Sequence, residues 1–385
     1  MTQLPPEFFW LLLQRSGITA GALRRLARAG ADEDAEQWLR WSPPRLRAAG
    51  LSDDAIHAVG EWRRCGRGGG AAQMAERDLH WLSANAASLL PINHADYPAL
   101  LLEIADPPPL LYIRGNVACL SAPQLAVVGS RRATRQGLAD ARLFAASLAE
   151  AGFVVTSGLA LGVDAAAHEA AVGVGGTTVA VMGTGLDRIY PAQHRDLADA
   201  ICQHGALITE LPLGTAPRAA HFPSRNRIIS GLSLGALIVE AAPQSGSLVT
   251  ARLALEQNRE VYAIPGSIHN SQSRGCNSLI RNGATLVQDA RDILDELLGW
   301  TAERGAEQRV KDQPLRTAPP SLGADEAAVL EAVGVEPTPF DSILDSVALP
   351  VPAVLSALAE LELLGLLEAR GGSYLRVYAC VSASG

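Results

Sequence analysis

From Leu125 to Gln288 short apolar runs, most of them closed by glycine, alternate with helical stretches, and this alternation constrains the chain most. Leu125–Val128 leads into Gly129-Ser130-Arg131, and a helical stretch then runs from Thr134 to about Ala151. Phe153–Gly158 precedes a helix opening near Gly162, and Thr177–Gly185 repeats the strand-then-glycine unit. Gly205–Glu210, Gly235–Glu240, Glu260–Gly266 and Ala284–Gln288 follow, with helical segments between most of them. Strands alternating with helices at this spacing require right-handed crossovers and a parallel sheet. Runs that are apolar throughout fit strands covered on both faces. The expected core is a Rossmann-like α/β domain over about 123–298.

In such a sheet, ligands bind beyond the carboxyl ends of the strands. After the first strand, GSRRATR (129–135) holds Arg131, Arg132 and Arg135 with no acid among them. Gly129 permits a tight turn, and the following helix points its first N–H groups at whatever binds there. Later strand ends carry Ser157, Gly158 and then Gly162; Gly183 and Gly185; Gly246-Ser247 with Thr250 one turn on; and Pro265-Gly266. Small residues at five strand ends point to an extended anionic ligand across the sheet edge. The pattern lacks GxGxxG with its downstream acid, which disfavours a dinucleotide cofactor.

A second basic cluster, PRAAHFPSRNR (217–227), contains Arg218, His221, Phe222, Arg225, Asn226 and Arg227 and no acid. Arginine gives bidentate phosphate contacts, and an exposed aromatic among arginines can stack on an unpaired base. The competing reading packs Phe222 into the core and pairs Arg225 with Glu210 or Glu240. Three arginines in so short an acid-free span favour phosphate. Asp164 and His168 share a helix face at i, i+4, where a structural hydrogen bond is preferred over an acid–base pair. The chain shows no nucleophile with a matched base, no HExxH and no paired acids for two metals.

Net charge is −8, which by itself argues against nucleic acid. Its distribution argues otherwise. Residues 125–290 hold 13 arginines and 12 acids, a net of +1, and the remainder carries −9. Lys311 is the sole lysine and lies far from any glycine-rich loop, so a phosphate-binding P-loop is excluded. The five cysteines are widely spaced without CxxC, so no disulfide framework or zinc site is expected, and a reduced cytoplasm fits. The N-terminus reads as neither signal peptide nor membrane span.

Residues 1–65 read as a small helical domain. There Gly17–Leu23 allows a helix-hairpin-helix turn, with a plain turn between core helices preferred. Residues 66–122, opening on GRGGG (66–70), read as a linker and a Pro-rich, irregular lead-in over 91–115. Residues 299–322 read as a polar linker, and 323–380 as a winged helix with a Leu-rich helix and two-strand wing. That last segment carries two basic residues against nine acids, and its expected recognition helix, about 351–364, has no Arg, Lys, Asn or Gln. Base or phosphate reading there is disfavoured, and a structural or protein-contacting module is expected.

The ordered run GSRRAT…TSGLALGVDAAAH…AVMGTGLDRIYP…ITELP…HFPSRNRIISGLS…SGSLVTARLALEQNREVYAIPG…GCNSLIRNGA resembles the DNA-processing protein A family, also called Smf. The resemblance covers about 125–290, and the lead-in 97–116 shares it. The N-terminal region is similar to that family's sterile-alpha-motif or helix-hairpin-helix-like domain, and the C-terminus to its winged helix. The resemblance implies a non-enzymatic, cytoplasmic protein without cofactor. It implies binding and protection of single-stranded DNA during natural transformation, with loading of the RecA recombinase. The implied partners are single-stranded DNA, RecA, a second copy through the Rossmann domain, and single-strand-binding protein. The family's key arginine falls on Arg131. Its F-P-x-R-N-R motif falls on Phe222, Pro223, Arg225, Asn226 and Arg227. Where some members carry a lysine just upstream, this chain offers Arg218 or His221. The rival is a nucleotide-processing enzyme on a lysine-decarboxylase-like Rossmann fold. Its PGGxGT loop is absent, and the nearest string, Gly175–Thr178, precedes a strand.

Overall fold

The computed structural model describes residues 4–30, 34–297, 323–333, 338–347, 349–363, 367–370 and 373–376. Lys311, the expected linker 299–322 and residues 377–380 lie outside them. The chain divides into two compact units, Met1–Thr301 and Ala302–Gly385.

The first unit opens on helices α1 (Pro6–Arg15), α2 (Ala20–Ala29), α3 (Ala35–Trp38), α4 (Pro43–Ala48), α5 (Asp53–Cys65) and α6 (Gly70–Ala84). Phe8 to Leu13 are all buried, so α1 is a core helix. Gly17 turns the chain at a φ of 77°, and Thr19 Oγ1 caps α2 by accepting the Ala22 N–H. The stretch Gly66–Gly70, expected to open a linker, is regular structure. A short 3₁₀ turn (Gly66–Gly68) joins α5 directly to α6, and Asp78 of α6 holds Arg15 of α1 at 2.6 Å.

Strands β1 (Ala87–Pro91), β2 (Leu110–Gly115), β3 (Gln124–Val128), β4 (Val154–Ser157), β5 (Thr178–Val181), β6 (Ala206–Thr209), β7 (Gly235–Ile238), β8 (Glu260–Ala263) and β9 (Thr285–Leu286) form one sheet. Its order is β1-β2-β6-β5-β4-β3-β7-β8-β9. β3 to β9 pair in parallel, as the apolar runs require. β3 to β7 are buried throughout. The lead-in is therefore not irregular, since β1 and β2 extend the sheet antiparallel beyond β6. Its proline run stops at Pro109, one residue before β2, which pairs on both sides, whereas Pro91 is tolerated at the end of the edge strand β1. Gly115 at φ 115° lets the backbone of β2 close on that of Gly205 and Ala206.

Helices α7 (Ala99–Leu102), α8 (Arg135–Glu150), α9 (Val163–Gly173), α10 (Arg195–His204), α11 (His221–Leu232), α12 (Ser247–Glu256), α13 (Arg274–Arg281) and α14 (290–297) complete the unit. One hydrophobic cluster runs from Phe8, Trp38 and Val59 through Leu82 to Tyr112, Ala180 and Leu207. The N-terminal helices thus share a core with the sheet, where a separate helical domain was expected. β3 has β4 on one side and β7 on the other, so the strand order reverses there and opens a crevice at its carboxyl end.

The second unit holds α15 (Ala324–Ala332), α16 (Phe340–Ser346) and α17 (Val351–Leu363) around Val329, Ile343, Val354, Leu358 and Leu361. Its wing is β11 (Leu367–Arg370) against β12 (Ser373–Arg376), with β10 (Thr338–Pro339) added on the far side of β12. No single helix among the described residues is long and apolar enough to cross a membrane.

Candidate nucleic-acid interface

The crevice beside β3 is a cleft of about 760 Å³. The loop after β3, the start of α9, the segment opening α11 and the loop from β7 into α12 converge on it. Gly129 is required by contact, because a side chain there would meet Val163 Cγ2 at 2.6 Å. Glu240, just past β7, accepts the Thr134 N–H at 2.8 Å and the Thr134 hydroxyl at 2.6 Å. Thr134 Oγ1 in turn accepts the Gly137 N–H and caps α8. The loop is therefore fixed at its far end, while Arg131 and Arg132 stand exposed without an ion pair to any described residue. The Arg131 guanidinium lies 5.2 Å from the centre of the Phe222 ring, whose other neighbour is Tyr190 at 5.6 Å.

Opposite this loop, α12 begins at Ser247 after Gly246, and its first N–H groups are taken locally: Ser247 N–H by Ser245 Oγ, Leu248 N–H by the Ser245 carbonyl and Val249 N–H by the Gly246 carbonyl. Thr250 lines the wall one turn later, and Asn226 Nδ2 donates to the Gly246 carbonyl at 3.4 Å. Arg218 stands exposed at the rim. Cationic arms and a half-buried aromatic face suit phosphates and stacked bases.

The match to known proteins agrees with this arrangement. Residues 88–298, more than half of the chain, fit the family model of DNA recombination-mediator protein A, and 313–373 fit the DprA winged helix domain. The chain belongs to the DNA-processing protein A (DprA/Smf) family. Protein Smf of Escherichia coli is 44% identical over 306 residues, covering 78% of this chain and 80% of that protein. DNA processing protein DprA of Streptococcus pneumoniae is 46% identical over 200 residues, 52% of this chain and 71% of that one. A solved structure of the S. pneumoniae protein matches with a TM-score of 0.66 at 36% identity, covering 77% of this chain and 99% of that one. The Helicobacter pylori protein, solved to describe its single-stranded DNA binding mode, matches with a TM-score of 0.51 at 31% identity, covering 55% of this chain and 96% of that one.

Within this DprA/Smf architecture the expected site residues divide. Gly129, Ser130, Arg131, Arg218, Phe222, Arg225, Asn226, Gly246, Ser247 and Thr250 line the cleft. Arg225 does so from within the protein. It is 4% exposed and donates to the carbonyls of Gly158 at 2.6 Å and of Val181. Burial holds its guanidinium down to about 10, opposed by Asp164. It is charged at neutral pH, and it ties the ends of β4 and β5 together.

Other residues go elsewhere. Arg227 pairs with Glu210 at 2.6 Å and with Asp106 at 3.2 Å. The acid-free span thus acquires acids from β6 and the lead-in, which corrects the expectation of three phosphate-facing arginines. The buried Ser157 hydroxyl donates to the Val127 carbonyl at 2.6 Å. Gly158 packs on the Arg225 guanidinium. His221 Nδ1 lies 3.3 Å from the Gly183 carbonyl. Gly266 exchanges hydrogen bonds with the Asn277 side chain at 2.9 and 3.2 Å. Ser157, Gly158, His221, Arg227 and Gly266 stand outside the cleft lining, as does Arg135.

Asp164 lines the cleft and accepts the N–H groups of Gly158 at 3.2 Å and Ala160 at 3.3 Å. Burial pushes its carboxyl up, and the charge of Arg225 opposes this. His168 faces away and places Nδ1 2.7 Å from Thr178 Oγ1, with burial pushing the imidazole down to about 3. The two make no hydrogen bond to each other, and an imidazole so depressed is a poor base near neutral pH. No group of three potential metal ligands occurs among the described residues.

Sequence reasoning missed Tyr190, Gln244, Ser245 and Gln272. Ser245 was readable as the first residue of the S-G-S that opens α12. Tyr190 carried a weaker signal, an aromatic in the loop after a glycine-ended strand.

Proposed function

We propose that this cleft binds single-stranded DNA through its phosphates, with little base readout, and that the protein acts non-enzymatically as a recombination mediator. The observation that carries the reading is Arg131. It is an exposed guanidinium without an ion pair to any described residue, over the Phe222 ring, in a cleft at the sheet's switch point. Arg132 and Arg218 add charge along the rim. The single-stranded DNA binding mode described for the H. pylori relative supports the choice of ligand.

In this reading the protein works in the cytoplasm, protects incoming single strands during natural transformation and helps load RecA onto them, with single-strand-binding protein as a further partner. The recombination-mediator family match supports this assignment. Dimerisation through the Rossmann-like unit would place two clefts on one strand, and avidity would then raise affinity above that of one cleft.

The test is a gel shift with single- and double-stranded oligonucleotides, wild type against Arg131→Ala. Preference for the single strand, lost evenly across sequences in the variant, is expected. A changed sequence preference would replace phosphate contact with base readout. Release of a product from a nucleoside monophosphate would revive the enzyme reading.

A further inference from the structure

A second cleft, of about 630 Å³, adjoins the first. Three different elements supply its cations: Arg114 near the end of β2, Arg188 in the loop after β5, and Arg195 at the start of α10. The two clefts share Tyr190 and Pro217 as a common wall. Tyr190 is 46% exposed, and its ring leans on Phe222 of the first cleft at an interplanar angle of 44°. An aromatic ridge therefore separates two cationic depressions.

The two acids in the second cleft are already engaged. Asp199 pairs with Arg114 at 3.1 Å. Asp187 accepts the Gly214 N–H at 2.8 Å and reaches Arg188 Nε only at 3.9 Å. An exposed contact that long contributes little, so Arg188 is free to turn to a stronger anion. Arg195 is exposed and makes no ion pair with any described residue. A cation would find two carboxylates, both in use, whereas an anion finds one guanidinium unclaimed and a second held weakly.

We propose that the Arg188–Arg195 cleft is a second phosphate subsite, which receives the strand after it crosses the Tyr190 ridge from the first cleft. The proposal rests on the single-strand reading above. One nucleic acid spans both depressions, with its backbone on the arginines and a base free to stack on Tyr190. Strands too short to cross the ridge engage the first cleft alone.

The test measures fluorescence anisotropy of the full chain with oligothymidylates from about 4 to about 16 nucleotides, a range set by known single-strand clefts. The proteins are wild type, Arg131→Ala, the double variant Arg188→Ala/Arg195→Ala, and the charge-keeping double variant Arg188→Lys/Arg195→Lys. The alanine double variant should bind the shortest strands like wild type and the longest several-fold more weakly. Its log–log salt slope on long strands should flatten by about 0.7 for each phosphate left without its arginine. The lysine pair should restore most of the affinity. Equal weakening at every length overturns the proposal, as does no weakening at any length while Arg131→Ala still reduces binding. If wild type binds no strand at all, the first-cleft reading fails and this proposal falls with it. Both arginines are exposed, so a circular dichroism melt should show the alanine variant as stable as wild type.

Discussion

Arg131 and Arg225 sit in equally acid-free stretches of sequence and meet opposite environments. The loop after β3 is anchored by Glu240 through Thr134, so its arginines are left facing solvent. The stretch that opens α11 runs back into the protein. There Arg225 is buried on two backbone carbonyls and Arg227 is held by Glu210 and Asp106. Only Arg218 of the second group stands as free as Arg131. An acid-free sequence window therefore says nothing of which acids the fold brings alongside. The first cluster supplies charge for a ligand. The second mostly builds the wall against which the ligand lies.

The sharpest way to break this contrast is Arg225→Ala. Removing the buried guanidinium leaves the Gly158 and Val181 carbonyls without their donor, and each buried acceptor so stranded costs about 1–3 kcal/mol. Chemical denaturation should show this, and DNA binding should fall with the fold. A variant of undiminished stability that failed to bind would put Arg225 among the direct ligand contacts. Next comes Arg227→Ala, which should cost about 1–3 kcal/mol, the worth of hydrogen bonds to charged groups, while affinity stays within a few-fold. Arg131→Ala should invert that pattern. Stability should move by less than about 0.5 kcal/mol, and the salt slope for single strands should flatten by about 0.7. Unchanged salt dependence would remove Arg131 from the phosphate contacts. The smallest effect is expected from deleting residues 323–385. The acidic winged-helix unit lacks basic side chains on its long helix α17, so single-strand affinity should stay within a few-fold. A collapse in binding would make that unit part of the interface.

The parallel part of the sheet was legible because β3 to β7 are buried on both faces and so read as unbroken apolar runs ending in small residues. β1 and β2 were not, because they lie beyond the parallel strands and pair antiparallel, and because β1 ends on Pro91 and β2 follows Pro107–Pro109, which look like loop. Helix α6 was hidden by the glycines at its start. Glycine placement pointed to Gly129, Ser130, Gly246, Ser247 and Thr250 of the cleft lining, and the two basic clusters pointed to Arg131, Arg218, Phe222, Arg225 and Asn226. Arg227 was misjudged because Glu210 lies 17 residues away in sequence, and only the sheet brings it within 2.6 Å. Asp164 and His168 were placed on one helix, as they are, but the depth at which His168 is sealed depends on the strands packed over it.

The shared core of helices and sheet has a spectroscopic consequence. Five of the six tryptophans fall between Trp10 and Trp81, the sixth is Trp300, and the cleft's own aromatics are Phe222 and Tyr190. The emission of those five indoles therefore watches the helical end of the first unit and not the loops that would grip DNA. Because Trp38 and Tyr112 belong to one hydrophobic cluster, that distant probe should still lose its signal in the same cooperative transition as the sheet.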